Sequence, residues 1–168
     1  MLERIRARAI KETLLDVRIE GARLSDVGEL NDLFEQFFAE SGYGDRGIVY
    51  SRARAGEWLA RVIEFGLTPH IVARLNDKII GVISYDLDHS FCKDPIAVLH
   101  TIYVVPLHRR TAIGRMLVGL ATITAKTTDG ACAFHAPVAS GMDETTSLQN
   151  LFARGGFEPI GFIMGRAL

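Results

Sequence analysis

The sequence predicts one α/β domain built on a mixed sheet with helices on both faces. Three observations carry this. The chain has 168 residues, with 48% hydrophobic and 23% charged, the size and balance of one globular core. Its middle, His70 to Val105, is rich in β-branched residues and broken by turn signals, as in a hairpin meander. After it, strand and helix patterns alternate singly, as in crossover connections.

The elements follow in order. Residues 1–14 alternate in charge (Glu3, Arg4, Arg6, Arg8, Lys11, Glu12) and read as an N-terminal extension or short amphipathic helix, leaving 15–168 as the domain. Leu15–Glu20 is a strand closed by Gly21. Ser25 is placed to cap a helix with Asp26 and Glu29 in its first turn, and Leu30, Leu33, Phe34, Phe37 and Phe38 recur at helical spacing. The segment Ser41-Gly42-Tyr43-Gly44-Asp45-Arg46-Gly47 ends it in a loop. A second helix, Ser51–Phe65, is expected to bury Trp58, Leu59 and Val62. His70–Leu75 and Lys78–Leu87 flank the turn pair Asn76-Asp77. Ala97–Val105 is the next strand, closed by Pro106. A helix runs from Arg109 to about Lys126 with Ile113, Met116, Leu117, Leu120 and Thr124 on one face. Ala131–Val138 is a strand, Glu144–Arg154 a helix capped by Gly155-Gly156, and Pro159–Leu168 a last strand.

Charge and cysteine usage exclude several classes. A net charge of −1 provides no global field for nucleic acid or an anionic membrane. No stretch approaches the roughly 20 apolar residues of a membrane helix, and the start lacks the apolar middle of a signal peptide. Cys92 and Cys132 form neither a disulfide framework nor a zinc spacing, so they read as reduced, partly buried thiols of a soluble cytoplasmic protein.

The most informative segment runs from Ile102 to Arg115. A strand ends at Pro106, a four-residue turn follows, and a helix opens on small residues. Unpaired N–H groups at a helix start converge on one locus and suit a phosphate diester. Ala112 and Gly114 give clearance, and Arg109, Arg110 and Arg115 surround the turn with positive charge. Neither a dinucleotide fingerprint nor a P-loop is present. A pyrophosphate-bearing ligand fits, and so does an ordinary strand–helix junction.

Val104-x-Pro106-x-x-Arg109-x-x-Ala112-x-Gly114 resembles the acetyl-CoA signature of the GNAT superfamily, written Arg/Gln-x-x-Gly-x-Gly/Ala. Leu151-Phe152-Ala153-Arg154-Gly155-Gly156-Phe157 resembles the family's second hallmark, Leu-Tyr-x-x-x-Gly-Phe. The likeness spans roughly Arg18 to Leu168. It implies a mostly antiparallel sheet with a splay between the fourth and fifth strands, use of acetyl-CoA, and no metal. By the same resemblance, Ile102, Tyr103 and Val104 border the pantetheine arm, with the amides of Ile102 and Val104 bonding it. The amides of Arg109, Arg110, Thr111, Ala112, Ile113, Gly114 and Arg115 hold the pyrophosphate, and the Val104 amide polarises the thioester carbonyl. Three positions depart from the pattern. Ala112 replaces the first glycine, Phe152 replaces the tyrosine that protonates the leaving thiolate, and Thr145 replaces an asparagine that touches the cofactor.

Acetyl transfer to nitrogen needs a neutral amine and a stabilised oxyanion. His100 is the first candidate base: four residues before Val104, it is expected on the face of Ile102 and Val104. The glutamate of histone-type members would fall at Val98. Asp86, with Asp88 and His89, either reaches the cleft or is a solvated strand end. His135 is a substrate-side group or a core histidine, and Tyr43, with Asp45 and Arg46, is a loop candidate for substrate contact. The leading expectation is an N-acetyltransferase working by direct attack in a ternary complex on a small-molecule or peptide amine. The alternatives are a CoA-binding sensor or assembly module that has lost catalysis, and an α/β domain with no link to CoA. The apolar Ile160-Gly161-Phe162-Ile163-Met164 offers a homodimer contact.

Overall fold

The computed structural model describes residues 16–90, 92–137 and 145–160. In chain order they form β1 (Arg18–Gly21), α1 (Val27–Glu40), α2 (Arg52–Glu64), β2 (His70–Leu75), β3 (Lys78–Asp88), β4 (Ile96–Val104), α3 (Ile113–Thr127), β5 (Ala133–His135) and α4 (Thr145–Arg154). The five strands lie side by side in sequence order, antiparallel from β1 to β4, with β5 parallel to β4. The one parallel pairing needs a crossover, which α3 supplies. The mixed, mostly antiparallel sheet with helices on both faces is therefore as expected.

Alternation along the strands sends side chains to two cores. Ile71, Ala73, Ile83, Tyr85, Ala97 and Leu99 pack under α3 and α4 with Ile113, Leu117, Val118, Ala121 and Phe152. Val72, Val82 and Tyr103 pack under α1 and α2 with Leu30, Leu33, Phe34 and Leu59. The β2–β3 hairpin turns at Asn76 and Asp77, both left-handed (φ 48° and 63°), a conformation these short polar residues tolerate and a two-residue hairpin requires.

One irregularity matters most. Ser84 pairs with Thr101 and Tyr85 with Leu99, so His100 is an extra residue in β4. Leu99 and Ile102, three apart, both pack on the α3 side. The bulge therefore places His100 and Thr101 together on the α1/α2 side, where Tyr103 also points. His100 does not share a face with Ile102 and Val104, because the inserted residue resets the alternation.

Other expectations shift for local reasons. Ser25 lies inside a 3-10 turn, Leu24–Asp26, and is no cap; the Arg23 N–H instead donates to the Asp26 carboxylate at 2.9 Å. The helix placed at Arg109 starts at Ile113, because Pro106–His108 forms a 3-10 turn and Arg110 is left-handed (φ 61°). Its buried side runs through Val118, Ala121 and Ala125, small enough for close approach to the sheet, while Met116, Leu120 and Thr124 are half-buried. Trp58 is not buried but 36% exposed, lying over His70 and His100. Both cysteines are exposed rather than partly buried, Cys92 between β3 and β4 and Cys132 just before β5. β5 is shorter than expected because the Ala131 N–H turns back to Ala125 and the Cys132 N–H to Pro95. The expected ends at Val138 and Glu144, the extension 1–14 and the strand beyond Ile160 lie outside the described residues. Among the described residues no helix is long and apolar enough to cross a membrane.

Arg74 ties three elements together. It is 7% exposed, and its guanidinium donates to Glu20 and to Asp26, each at 2.9 Å, joining β2 to β1 and to the start of α1. Removing one partner of a buried ionic network costs about 3–5 kcal/mol. Arg74→Met, which keeps most of the stem, is expected to lower unfolding stability by about 3 kcal/mol in urea melts. A loss below about 0.5 kcal/mol would show that the network does not hold α1 in place.

Candidate active site

A cleft of about 640 Å³ opens between the end of β4, the turn after it and α4. Ile102, Tyr103 and Val104 form one wall; His108, Arg109, Arg110, Thr111, Ala112, Gly114 and Arg115 form the floor. The turn folds as its residues dictate. Pro106 starts the 3-10 turn, and the Thr111 hydroxyl donates to the His108 carbonyl at 2.7 Å and accepts from the Ile113 N–H at 3.3 Å. Ala112 sits at φ −74°, so its methyl group imposes no strain. The position that needs a left-handed backbone is Arg110. At Gly114 a Cβ would come within 3.3 Å of the Leu151 side chain, so this glycine admits α4 close to α3 and also thins the cleft floor.

Charge around the cleft is one-sided. Arg110, Arg115 and Arg154 line it, and among the described residues none of the three pairs with a carboxylate. With the first-turn N–H groups of α3, they make a site for a compact polyanion. Arg109 is committed elsewhere: its Nε donates to the Val104 carbonyl at 2.8 Å, and its guanidinium pairs with Glu40 at the end of α1. Glu40 also accepts from the Tyr103 hydroxyl at 2.8 Å. Burial first, and that carboxylate second, push the Tyr103 pKa up to about 12. Arg109 thus shapes the turn, and its expected positive charge beside the pyrophosphate is met by Glu40. Arg154, Asn150 and Ser147 of α4 join the lining, which the linear motif did not single out. Arg154, three residues after Leu151, sits one helical turn along the same face.

The wall of the cleft has an open edge. β5 pairs with β4 only at Ile96, Ala97 and Val98, so Leu99–Val104 have no partner on that side among the described residues. The Val105 N–H bonds back to Ile80 on β3. Alternation therefore sends the N–H groups of Val104 and Ile102 toward the open edge. This parting of β4 and β5 is the splay expected between the fourth and fifth strands.

The other face of the sheet carries a polar cluster. Asp86, Val98 and His135 lie in one row across β3, β4 and β5; His70, Ser84 and Thr101 lie in the next across β2, β3 and β4. His100 stands beside Thr101, with Nδ1 3.2 Å from its hydroxyl, and its ring lies 5.2 Å from that of Trp58. Asp86 accepts from the Thr68 hydroxyl at 2.7 Å. The structure thus gathers His100, Asp86 and His135 on one side, away from the α3 side where Ile102 and Val104 pack. Tyr43 packs on Phe37 and Phe38 after α1. Phe152 is 3% exposed in the core against Phe157 and offers no proton to the cleft. Among the described residues no group of three or more His, Cys, Asp or Glu side chains could hold a metal ion.

A five-stranded mixed sheet that parts at β4 thus stands beside a cationic helix start. The chain belongs to the acetyltransferase (GNAT) family, whose model matches residues 30–162. Solved structures agree in fold. A possible acetyltransferase from Clostridium difficile 630 is 12% identical with a TM-score of 0.72, covering 89% of this chain and 95% of that one. A predicted acetyltransferase from Clostridium acetobutylicum, solved with acetyl-CoA, is 14% identical with a TM-score of 0.68 and the same coverage. An aminoglycoside N-acetyltransferase in complex with CoA is 15% identical with a TM-score of 0.72, covering 89% and 93%. No curated protein matches the chain.

His70 sets a pH dependence. Its Nδ1 lies 2.7 Å from the Thr68 carbonyl, so Nδ1 carries the proton. Burial, with a smaller contribution from His100, lowers its pKa; the Thr68 carbonyl and Asp86 act the other way. The folded pKa lies below the unfolded value of about 6.5, so the unfolded chain binds more protons between the two. Stability from this group is complete above that pH and falls as the solution is acidified through it. Melting temperature is expected to drop between pH 7 and pH 5.5, and His70→Asn, which keeps a donor to Thr68, is expected to flatten that drop. Parallel curves for the two proteins would contradict the assignment.

Proposed function

We propose that the protein transfers an acetyl group from acetyl-CoA to the nitrogen of a small-molecule amine, by direct attack in a ternary complex. The observation that carries this is the open edge of β4 beside a helix start ringed by Arg110, Arg115 and Arg154. The Arg109 N–H is taken by Pro106 and the Ile113 N–H by Thr111, so the other amides from Arg110 to Arg115 and these guanidiniums suit the pyrophosphate, while the outward N–H groups of Ile102 and Val104 suit the pantetheine arm as an added strand would. The Val104 amide then stands where the thioester carbonyl needs a donor.

Across the gap, His100 is the base. It is exposed, and it faces the side opposite the cofactor wall, so an amine arriving from there meets the acetyl group through the splay. The neutral nitrogen attacks the carbonyl carbon, the C–N bond forms, the C–S bond breaks, and the nitrogen's proton passes through His100 to solvent. A thiolate is a far better leaving group than an amide anion and departs without an acid, so Phe152 does not block the reaction. Asp86 and His135 border the approach. A small-molecule acceptor is supported by neighbours of the same fold that are aminoglycoside acetyltransferases, one of them solved with sisomicin. The buried Phe152 favours a second reading, a CoA-binding module without turnover.

Purified protein is expected to release CoA thiol from acetyl-CoA with at least one member of a broad panel of primary amines. His100→Ala is expected to lower kcat about 100-fold with CoA affinity by calorimetry unchanged. CoA binding without thiol release would favour the second reading. Arg110→Ala and Arg115→Ala are each expected to weaken CoA about tenfold by calorimetry, as for one charge-assisted contact. Unchanged affinity in both would move the pyrophosphate away from this turn.

A further inference from the structure

Glu40 is the last residue of α1, and nothing in that helix asks for a carboxylate there. The C-terminal end of a helix favours cations, yet the last turn of α1 holds no basic residue. The side chain is used across the fold instead. Oε1 accepts from the Tyr103 hydroxyl at 2.8 Å, and Oε2 pairs with the Arg109 guanidinium. The backbone that carries it is well held. Ser41, the next residue, is 1% exposed; its N–H donates to the Phe37 carbonyl and its hydroxyl to the Phe38 carbonyl, each at 2.9 Å.

Both partners act on one short piece of β4. Tyr103 is buried, with its ring against Phe37 and the Arg109 guanidinium carbon 5.2 Å from the ring centre. Arg109 Nε donates to the Val104 carbonyl at 2.8 Å, and the N–H of the same peptide, that of Val105, donates to the Ile80 carbonyl at 3.0 Å. This peptide plane is therefore fixed at both ends. The peptide before it carries the Val104 N–H and lies between that plane and the anchored Tyr103. It has little freedom to swing.

We propose that Glu40 is a positioning residue for acetyl transfer, which aims the Val104 N–H at the thioester carbonyl through Tyr103 and Arg109. This rests on the transferase reading above and adds to it a residue from outside the cofactor turn. Glu40 does not line the cleft, whereas both its partners do. A donor stabilises a developing oxyanion best when it is held in place before the charge appears. The same carboxylate sets a negative charge beside the cationic turn, which opposes a polyanion. Turnover and cofactor affinity therefore respond differently to its loss.

Glu40→Gln keeps an oxygen for Tyr103 but turns an amide N–H2 toward Arg109, breaking that arm at a partly exposed position. It is expected to lower kcat about tenfold, while CoA affinity by calorimetry stays level or rises. Tyr103→Phe breaks the other arm within the core and is expected to lower kcat with CoA affinity unchanged. Adding Glu40→Gln to Arg109→Gln is expected to lower kcat no further than Arg109→Gln alone, because the charge acts through Arg109. The aim of the donor is also readable without turnover. In nuclear magnetic resonance spectra the Val104 amide proton is expected to move downfield when acetyl-CoA replaces CoA, and to move less in Glu40→Gln. An unchanged kcat in Glu40→Gln, equal losses in kcat and CoA affinity, or the same Val104 shift in both proteins would overturn the proposal. A Val104 shift that depends on Glu40, with no amine acetylated, would overturn the transferase reading and leave the positioning role standing. Failure of CoA to bind would overturn both.

Discussion

One extra residue in β4 organises this molecule. His100 has no partner on β3, and without that insertion every side chain before it would change face. The bulge lets Leu99, Ile102 and Val104 all serve the α3 core while His100, Thr101 and Tyr103 look the other way. Just before it, among the described residues, pairing with β5 stops at Val98. The strand thereby gains an open edge at the level where its two faces carry different chemistry. A polyanion site lies on one side of that opening and an imidazole, a carboxylate and an indole on the other. Transfer between a cofactor and an acceptor needs two approaches to one carbon atom, which is the use the proposed reaction makes of this opening.

A second device couples the two sides. Glu40, the last residue of α1, takes both Tyr103 and Arg109, and Arg109 also holds the Val104 carbonyl. The helix that leads into the Tyr43 loop is thus fastened to the strand end and to the cofactor turn through three side chains. The Tyr103–Glu40 and Arg109–Val104 bonds are partly buried, where charge-assisted bonds keep more of their strength than at the surface, while the Arg109–Glu40 pair is exposed. The arginine that the motif offers as a phosphate ligand is better described as the fastening of the turn, while Arg110, Arg115 and Arg154 line the cleft.

Much of this was legible in the residues because it is local. The hairpin at Asn76-Asp77 was readable, since two residues that tolerate a left-handed backbone leave few other turns. The apolar stripe of α1 and the small residues at Ala112 and Gly114 were readable for the same reason, as was the cleft they line. What could not be read is what depends on partners. Nothing in Leu99-His100-Thr101 marks an inserted residue, because the insertion exists only relative to β3. Counting by twos therefore put His100 on the wrong face. The start of α3 slipped by four residues because Arg110, an ordinary helix former, adopts a left-handed conformation in the turn. Trp58 counted as core by its spacing, yet it covers a polar layer whose members, His70 and Ser84, lie far apart in the chain and look unremarkable in strands.

If cofactor and acceptor meet through the parting of β4 and β5, a crystal structure of the protein soaked with CoA will show it. The pyrophosphate is expected at the amides of the turn before α3 and the first turn of α3, the pantetheine along the open edge between Leu99 and Val104, and the sulfur at the point where β5 leaves β4. CoA bound outside this cleft, or a sulfur buried on the α3 side with no passage to His100, would contradict it.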